Sequence, residues 1–505
     1  MAAQQQALRF RLIGPLGFGD AEVVPWSLVV GFAALIAALL AARMGQIVEL
    51  AFPALALLVG ATLYFRHPTL YLGFTWWLWF LAPEVRRLVD YQIGWNEISP
   101  VMIAPYLVSG VAALTLVRRL PQLLQPRLFP FALILMALNY AYVVGLVRAG
   151  PLAATYGLLT WLVPALLGFH VAAHWQRYPS YRDALQRVFL WGVLAMGIYG
   201  IVQFLALPAW DAYWMRVSDM SSIGGPQPFR VRIWSTMNSP QPFALAMMAG
   251  LLFAFAAKGW FRFVAAGPGY VSLLLSLVRT AWLGWAIGLV VLFARARGVH
   301  KARLLAVGLG VGLLSLPLLL LDPVADRVTA RFETMQDLGE DESLRARLAL
   351  YREFFLASAG NVVGQGIGSA NLATKLAEDG DLAEYRTIDS GVLEAMFVLG
   401  WPGTLLYLGG LGGLLGGAFG GRAERDDVTV AAAGAVVVAI LAMAVSHNTL
   451  IGVGGSVLWT FLGLMLAAQR CERQSRAAPV PAPDERRPPD DPPRYQEGTP
   501  THAPA

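Results

Sequence analysis

Apolar residues gather in long runs separated by short polar connections. Fourteen runs can be traced, at roughly 24–42, 48–65, 68–82, 100–117, 128–147, 151–174, 188–207, 240–257, 263–278, 280–294, 304–322, 393–418, 428–447 and 453–469. A helix needs about 17–25 residues to cross a bilayer, and several of these runs sit near the lower limit, notably the pair flanking Arg279. The pattern predicts an all-α polytopic membrane protein of about 14 transmembrane helices with one large, partly helical outer loop. One bent helix over 263–294 would instead put the two termini on opposite sides.

Basic residues fall at alternate connections: Arg9 and Arg11, Arg66, Arg118 to Arg127, Arg177 to Arg187, Lys258 and Arg262, Arg295 to Arg303, Arg422 and Arg425, and Arg470 to Arg476. The positive-inside rule places all of these in the cytoplasm, with both termini inside. The resulting division is a cytoplasmic N-terminus over 1–23, eleven helices over 24–322 interrupted by an outer loop at 208–239, and a large outer loop over 323–392. Three further helices follow over 393–469, then a disordered, Pro-rich cytoplasmic tail over 470–505. Inside the large loop, SLRARLALYREFFLASA has helical periodicity, with Leu344, Leu348, Tyr351 and Phe355 on one stripe. It leads into the glycine-rich turn GQGIGS at 364–369.

Composition agrees. The 505 residues are 57% hydrophobic and 14% charged, against about 25% charged in soluble domains. The polar, basic start and the length of the first apolar run point to a retained helix in place of a cleaved signal peptide. A single cysteine, Cys471, excludes an intrachain disulfide, and the six histidines are scattered without ligand spacing, so neither a metal centre nor a cofactor is expected. The net charge of +6 does not indicate nucleic acid, because the basic residues lie where a bilayer would put them.

Arg279 stands in an otherwise apolar stretch, with Ser276 one turn before it and Thr280 beside it. Such a residue either snorkels to the interface or faces a polar cavity that marks a functional site. Arg230 and Arg232, in FRVRIWSTMNSPQ, share its predicted side; extended spacing would point both the same way, and each also fits a headgroup anchor. Arg345, Arg347 and Arg352 cannot all share one helix face. Arg347 and Tyr351 can, as a ligand-facing pair or as a solvated surface. Glycines 364, 366 and 368 form a phosphate cradle or a tight turn. Asp389, in DSGVLEAMFVLGWPG, fits a helix N-cap worth about 1 kcal/mol or a general base beside the arginines. His447 and Asn448 lie at another outer helix end.

Taken in order, these segments resemble the superfamily of O-antigen ligases and Wzy-type polysaccharide polymerases. The matching pieces are Arg232 with IWSTMNSPQ, Ser276 with LVR, the Arg347 helix leading into Gly364-QGIG, and Asp389 with SGVLEAMFVLGWPG, which ends in a Gly-x-x-Gly. The resemblance covers roughly 230–410, and the first seven helices only by hydropathy. It implies a metal-independent glycosyltransferase acting on undecaprenyl-diphosphate-linked oligosaccharide at the periplasmic face of the bacterial inner membrane. Arg232, Arg279 and Arg347 would bind the donor diphosphate, Asp389 would be the catalytic base, and Arg230, Tyr351 and His447 are further candidates. The family's ligases carry a histidine where this chain has Asp389, and asparagine where it has Ser390. That departure favours a polymerase of exopolysaccharide or O-antigen repeat units over a ligase acting on another acceptor. A flippase and a chain-length regulator are the partners such a polymerase implies. A transporter of an anionic lipid-linked substrate is the competing class; its charges should sit near the bilayer midplane.

Overall fold

The computed structural model describes residues 23–218, 220, 223–295, 301, 351–352, 355–356, 360–376, 388, 390–421 and 427–477. Helices occupy thirteen of the fourteen predicted runs, and the run at 304–322 lies outside the described residues. In chain order they are α1 (Val23–Ala41), α2 (Gly45–Arg66), α3 (Pro68–Ile93), α4 (Ala104–Gly110), α5 (Ala113–Arg118), α6 (Phe129–Arg148), α7 (Pro151–Ala173) and α8 (Tyr178–Ala206). They continue with α9 (Ala209–Val217), α10 (Pro240–Ala254), α11 (Phe261–Leu275), α12 (Arg279–Arg295), α13 (Gly391–Phe419), α14 (Val428–Met443) and α15 (Gly452–Ala477). Among the described residues, seven stretches are long and apolar enough to cross a membrane: Gly45–Arg66, Pro100–Arg118, Phe129–Arg148, Pro151–Ala173, Trp175–Ala206, Gly391–Phe419 and Gly452–Ala477. Others, such as Pro240–Ala254 and Val428–Met443, are apolar but shorter. Large apolar side chains stay exposed on the outside of the bundle, among them Leu50, Val147, Val290 and Leu405. Lipid accepts such a surface, whereas water would drive it to associate.

The core runs along α15, whose residues from Val457 to Met465 are almost all fully buried. Helices α7 and α15 cross closely because both present glycine: a Cβ on Gly463 would stand 2.4 Å from the Gly168 carbonyl oxygen. Small residues at a crossing are the usual route to close helix packing in lipid, where burial of apolar surface gives no advantage.

Two features of the helices matter for the site, and the second departs from the hydropathy reading. The runs at 263–278 and 280–294 are not one bent helix. Tyr270 and Trp285 meet edge to face at 5.2 Å, whereas fifteen residues of straight helix would separate them by roughly 22 Å. Helices α11 and α12 therefore fold back on each other around Ser276–Val278, where Leu277 takes a left-handed φ of 54°. Helix α3, for its part, runs to Ile93 and not to 82. Its last turns carry Arg86, Arg87 and Asp90, all buried.

The connections sort into the two ends of the bundle. At one end Arg182 faces Asp427, Gln186 faces Thr429, and Arg470 lies over Trp175. These are connections the positive-inside pattern groups together. At the other end the segments around 84–103, 230–239, 276–280, 364–376, 390–398 and 444–451 converge.

Candidate functional site

The segment after Phe229 is extended. Val231 and Ile233 are fully buried, Arg232 is half-buried, and Arg230 is exposed in a turn closed by the Gly225 N–H on the Arg230 carbonyl at 3.0 Å. Backbone pairing brings this segment onto the fold-back of α11 and α12, with the Ile233 N–H donating to the Leu275 carbonyl at 3.2 Å. The Arg232 guanidinium then reaches the carbonyls freed by the break, donating from Nε to Ser276 and from Nη2 to Leu277, both at 3.2 Å. Arg279 is half-buried in the first turn of α12, directly after that break. Two arginines 47 positions apart in sequence thus share one irregular corner.

A buried ionic network holds the Arg232 segment in place. Arg87 has no exposed side-chain surface; it pairs with Glu84 and with Asp211 of α9 at 3.3 Å, and donates to the Ser235 carbonyl at 2.5 Å. Gln203 of α8 completes the clamp. Its amide donates to Asp211 at 2.8 Å, and its carbonyl accepts the Trp234 and Ser235 N–H groups at 3.0 and 2.9 Å. Thr236 is tied to the Phe80 carbonyl at 2.6 Å. Burial pushes the Asp211 carboxyl above the usual carboxylate range, while the Arg87 guanidinium opposes that rise.

The opposite wall of the corner is the turn after α14. His447, largely buried, places Nε2 3.3 Å from the Thr280 hydroxyl and Nδ1 3.2 Å from the Ser446 hydroxyl. Its carbonyl accepts the Gly391 N–H at 3.2 Å, so the starts of α12 and α13 both meet this one residue. Helix N-termini carry partial positive charge and favour anions. Tyr351 joins the same turn, its hydroxyl donating to the Val445 carbonyl at 3.2 Å. Of the residues singled out from sequence, Arg232, Arg279, His447 and Tyr351 are brought to one region, and Arg230 stays on an exposed turn. Asp389 and Arg347 lie outside the described residues. The N-cap of α13 is filled by Ser390, whose hydroxyl accepts the Leu393 N–H at 3.4 Å. The capping role weighed for Asp389 therefore belongs to its neighbour.

The glycine-rich turn wedges into the bundle. Helix α13 is interrupted at Gly400, whose φ of 61° is left-handed, and Pro402 has no N–H to return to Val398. The stranded carbonyls of Phe397 and Val398 are taken by the N–H groups of Gln365 and Gly366, at 2.8 and 2.9 Å. The Trp401 N–H goes out to the Val362 carbonyl at 2.9 Å. Irregular backbone of this kind persists at membrane depth only where protein satisfies it. The glycines are required by contact: a Cβ on Gly366 would stand 2.3 Å from the Gly145 nitrogen, and one on Gly364 2.4 Å from the Gly400 nitrogen. Of the two readings, the tight turn is the one formed.

Sequence pattern marks Asn448 only as part of a polar helix end and does not single out Glu394. Glu394 lies one turn into α13 and is 1% exposed, and it accepts a hydrogen bond from the Asn448 amide. A carboxylate inside an apolar 29-residue helix was the signal available. Among the described residues no group of three or more His, Cys, Asp or Glu side chains could hold a metal ion. A search of curated proteins gives no match. Residues 262–408, which carry the Ser276–Arg279 break and reach Leu408 in α13, match the family model described as O-antigen ligase.

Proposed function

We propose that the chain is a polymerase of lipid-linked oligosaccharide repeat units, transferring a growing glycan from undecaprenyl diphosphate to a sugar hydroxyl of the next unit. The observation that carries this reading is the meeting of Arg232 and Arg279 at the fold-back of α11 and α12, inside the family-matched stretch. A sugar diphosphate leaves readily once its charge is stabilised. Fixed guanidinium groups and a helix N-terminus in a half-buried corner supply that stabilisation without a metal ion. Arg347 of the large loop is a third donor contact in this scheme. The acceptor hydroxyl needs a base as it attacks, and Asp389, between the buried residues Ile388 and Ser390, is assigned that role. Attack opposite the diphosphate inverts the anomeric centre. The site faces the periplasm of the bacterial inner membrane, with the basic end of the bundle in the cytoplasm.

The test is transfer by purified protein in lipid nanodiscs supplied with an undecaprenyl-diphosphate-linked oligosaccharide. Arg279→Ala should lower the transfer rate by about 10²–10³, the effect of removing one donor aimed at developing charge. Arg279→Lys keeps the charge but loses the planar fork, so it should recover only part of that loss. Normal transfer by a well-folded Arg279→Ala would make the residue an interface anchor and remove the centre of this reading.

A further inference from the structure

The end of the bundle away from the arginine corner holds a depression of about 1160 Å³, between the first turns of α8, the turn at 255–259 and the last turns of α15. Four cations line it, Arg182, Arg187, Lys258 and Arg262, against three carboxylates, Asp183, Asp427 and Glu472. The carboxylates are already engaged. Asp183 and Asp427 face Arg182 at 2.9 and 3.9 Å, and Glu472 pairs with Arg476 one turn on in α15. Asp427 also accepts the Tyr178 hydroxyl at 2.5 Å and the Thr429 N–H at 2.8 Å. Among the described residues no carboxylate pairs with Arg187 or Lys258. The turn that carries Lys258 is tied down on both sides. Gln186 donates to the Ala256 carbonyl at 3.4 Å, and Arg262 Nη1 to the Ala257 carbonyl at 2.7 Å.

The depression continues past its polar rim. Phe255 and Arg262 also line a shallow groove with Leu251, Ala254, Ala266 and Tyr270, between α10 and α11. From Arg262 to Tyr270 the helix α11 rises roughly 12 Å. Trp260, Phe263 and Val264 are exposed beside it, and tryptophan at a helix end is typical of the headgroup level of a bilayer. A cationic basin thus opens onto an apolar groove, with Arg262 at the junction. A soluble anion would use the basin and leave the groove bare, whereas a phospholipid uses both.

We propose that this is a binding site for an anionic phospholipid, with the headgroup phosphate among Arg187, Lys258 and Arg262 and one acyl chain along the groove between α10 and α11. Basic pockets between helices at this level attract acidic headgroups. A zwitterionic headgroup brings its own cation to a basin that already has a surplus. Bound there, the lipid bridges α8 and α11 and takes no part in the transfer chemistry.

Native mass spectrometry of the full chain, titrated in detergent with dioleoyl phosphatidylglycerol or dioleoyl phosphatidylcholine, tests the site. The wild type should hold phosphatidylglycerol about tenfold more tightly or better. Each lysine or arginine near a charged surface contributes about a factor of five, so Arg187→Gln with Lys258→Gln should weaken phosphatidylglycerol about 25-fold. Arg118→Gln with Arg119→Gln, the same loss of charge at the end of α5, should leave it unchanged, as should the charge-keeping pair Arg187→Lys with Lys258→Arg. Arg187 and Lys258 are exposed, so a normal thermal transition is expected, and Lys258→Gln alone serves if the pair does not fold. Equal retention of the two lipids, normal retention by the Arg187 and Lys258 glutamine pair, or an equal loss in the Arg118 and Arg119 pair would each overturn the site. Displacement of the lipid by millimolar inorganic phosphate would also overturn it, because the basin would then serve a soluble anion.

Discussion

At the end of the bundle that carries Arg182, Arg187 and Lys258, side chains of both signs line a broad depression of about 1160 Å³. At the other end the cavity beside Glu394 has less than half that volume, yet Arg86 and Glu394 on its wall are buried. Size alone would choose the first as the site. The physical difference lies in what the charges touch. Arg182 pairs with Asp183 at 2.9 Å and with Asp427 at 3.9 Å, in a partly solvated cluster where water can replace either partner. Arg87 and Asp211 have no exposed side-chain surface, and nothing but each other and their neighbours can satisfy them. A membrane protein carries that burden where it fixes a segment whose position matters, here the stretch from Trp234 to Thr236 that follows Arg232.

The sharpest way to break this comparison is Arg87→Ala. It would leave Asp211 buried, and Glu84 partly so, with their partner gone, a loss of about 3–5 kcal/mol. The expected result is little folded protein by detergent-phase size exclusion and a much lower thermal midpoint. Arg87→Ala as stable as Arg182→Ala would mean that the two ends are not different in kind.

Gly366→Ala should come next. A left-handed residue other than glycine costs ~1–2 kcal/mol, and overpacking adds ~1–3 kcal/mol; with φ at 85° and a helix nitrogen 2.3 Å from the new Cβ, both apply. The thermal midpoint should fall, and transfer should fall with it, because the wedge fixes the kink in α13. An unaffected midpoint would show that the 364–369 turn is not needed to satisfy the break at Gly400.

How far the sequence could be read follows the same division. Hydropathy locates thirteen helices, since a bilayer demands long apolar runs whatever they pack against. It stops α3 at 82 because Glu84, Arg86, Arg87 and Asp90 look like a solvated loop. Their burial depends on α9, more than a hundred residues later. The same reasoning explains the site. Arg232 and Arg279 stand out as charges in apolar surroundings, and His447 stands out as a polar helix end. Glu394 does not, since its partner Asn448 lies 54 positions away, at the same helix end as His447. The role of GQGIG is equally invisible locally: its partners are carbonyls stranded by Gly400 and Pro402.

Asp389→Asn tests which residue at the buried end moves the proton. With Ser390 capping α13, the substitution should not disturb the helix start. Removal of a general base lowers transfer by about two orders of magnitude or more, equivalent to ~2.7 kcal/mol in the barrier. Donor binding, read by calorimetry with farnesyl diphosphate, should be retained. If transfer stays near normal, His447 takes over as the candidate, and His447→Gln becomes the decisive variant because its ring already faces Thr280 beside Arg279.

The smallest effect belongs to the other end. Arg182 is one-third exposed, and Asp183 and Asp427 retain water contact, so its ion pairs contribute about 0–1 kcal/mol. Arg182→Ala should lower the thermal midpoint only slightly, and a rise in salt should narrow even that difference, because exposed pairs are screened. Polymer yield and donor affinity should match the wild type. The outcome that would count against the comparison is a large loss of transfer with the fold intact. That result would give the broad depression a part in turnover and would mean that burial of charge is not what separates the working end of the bundle from the supporting one.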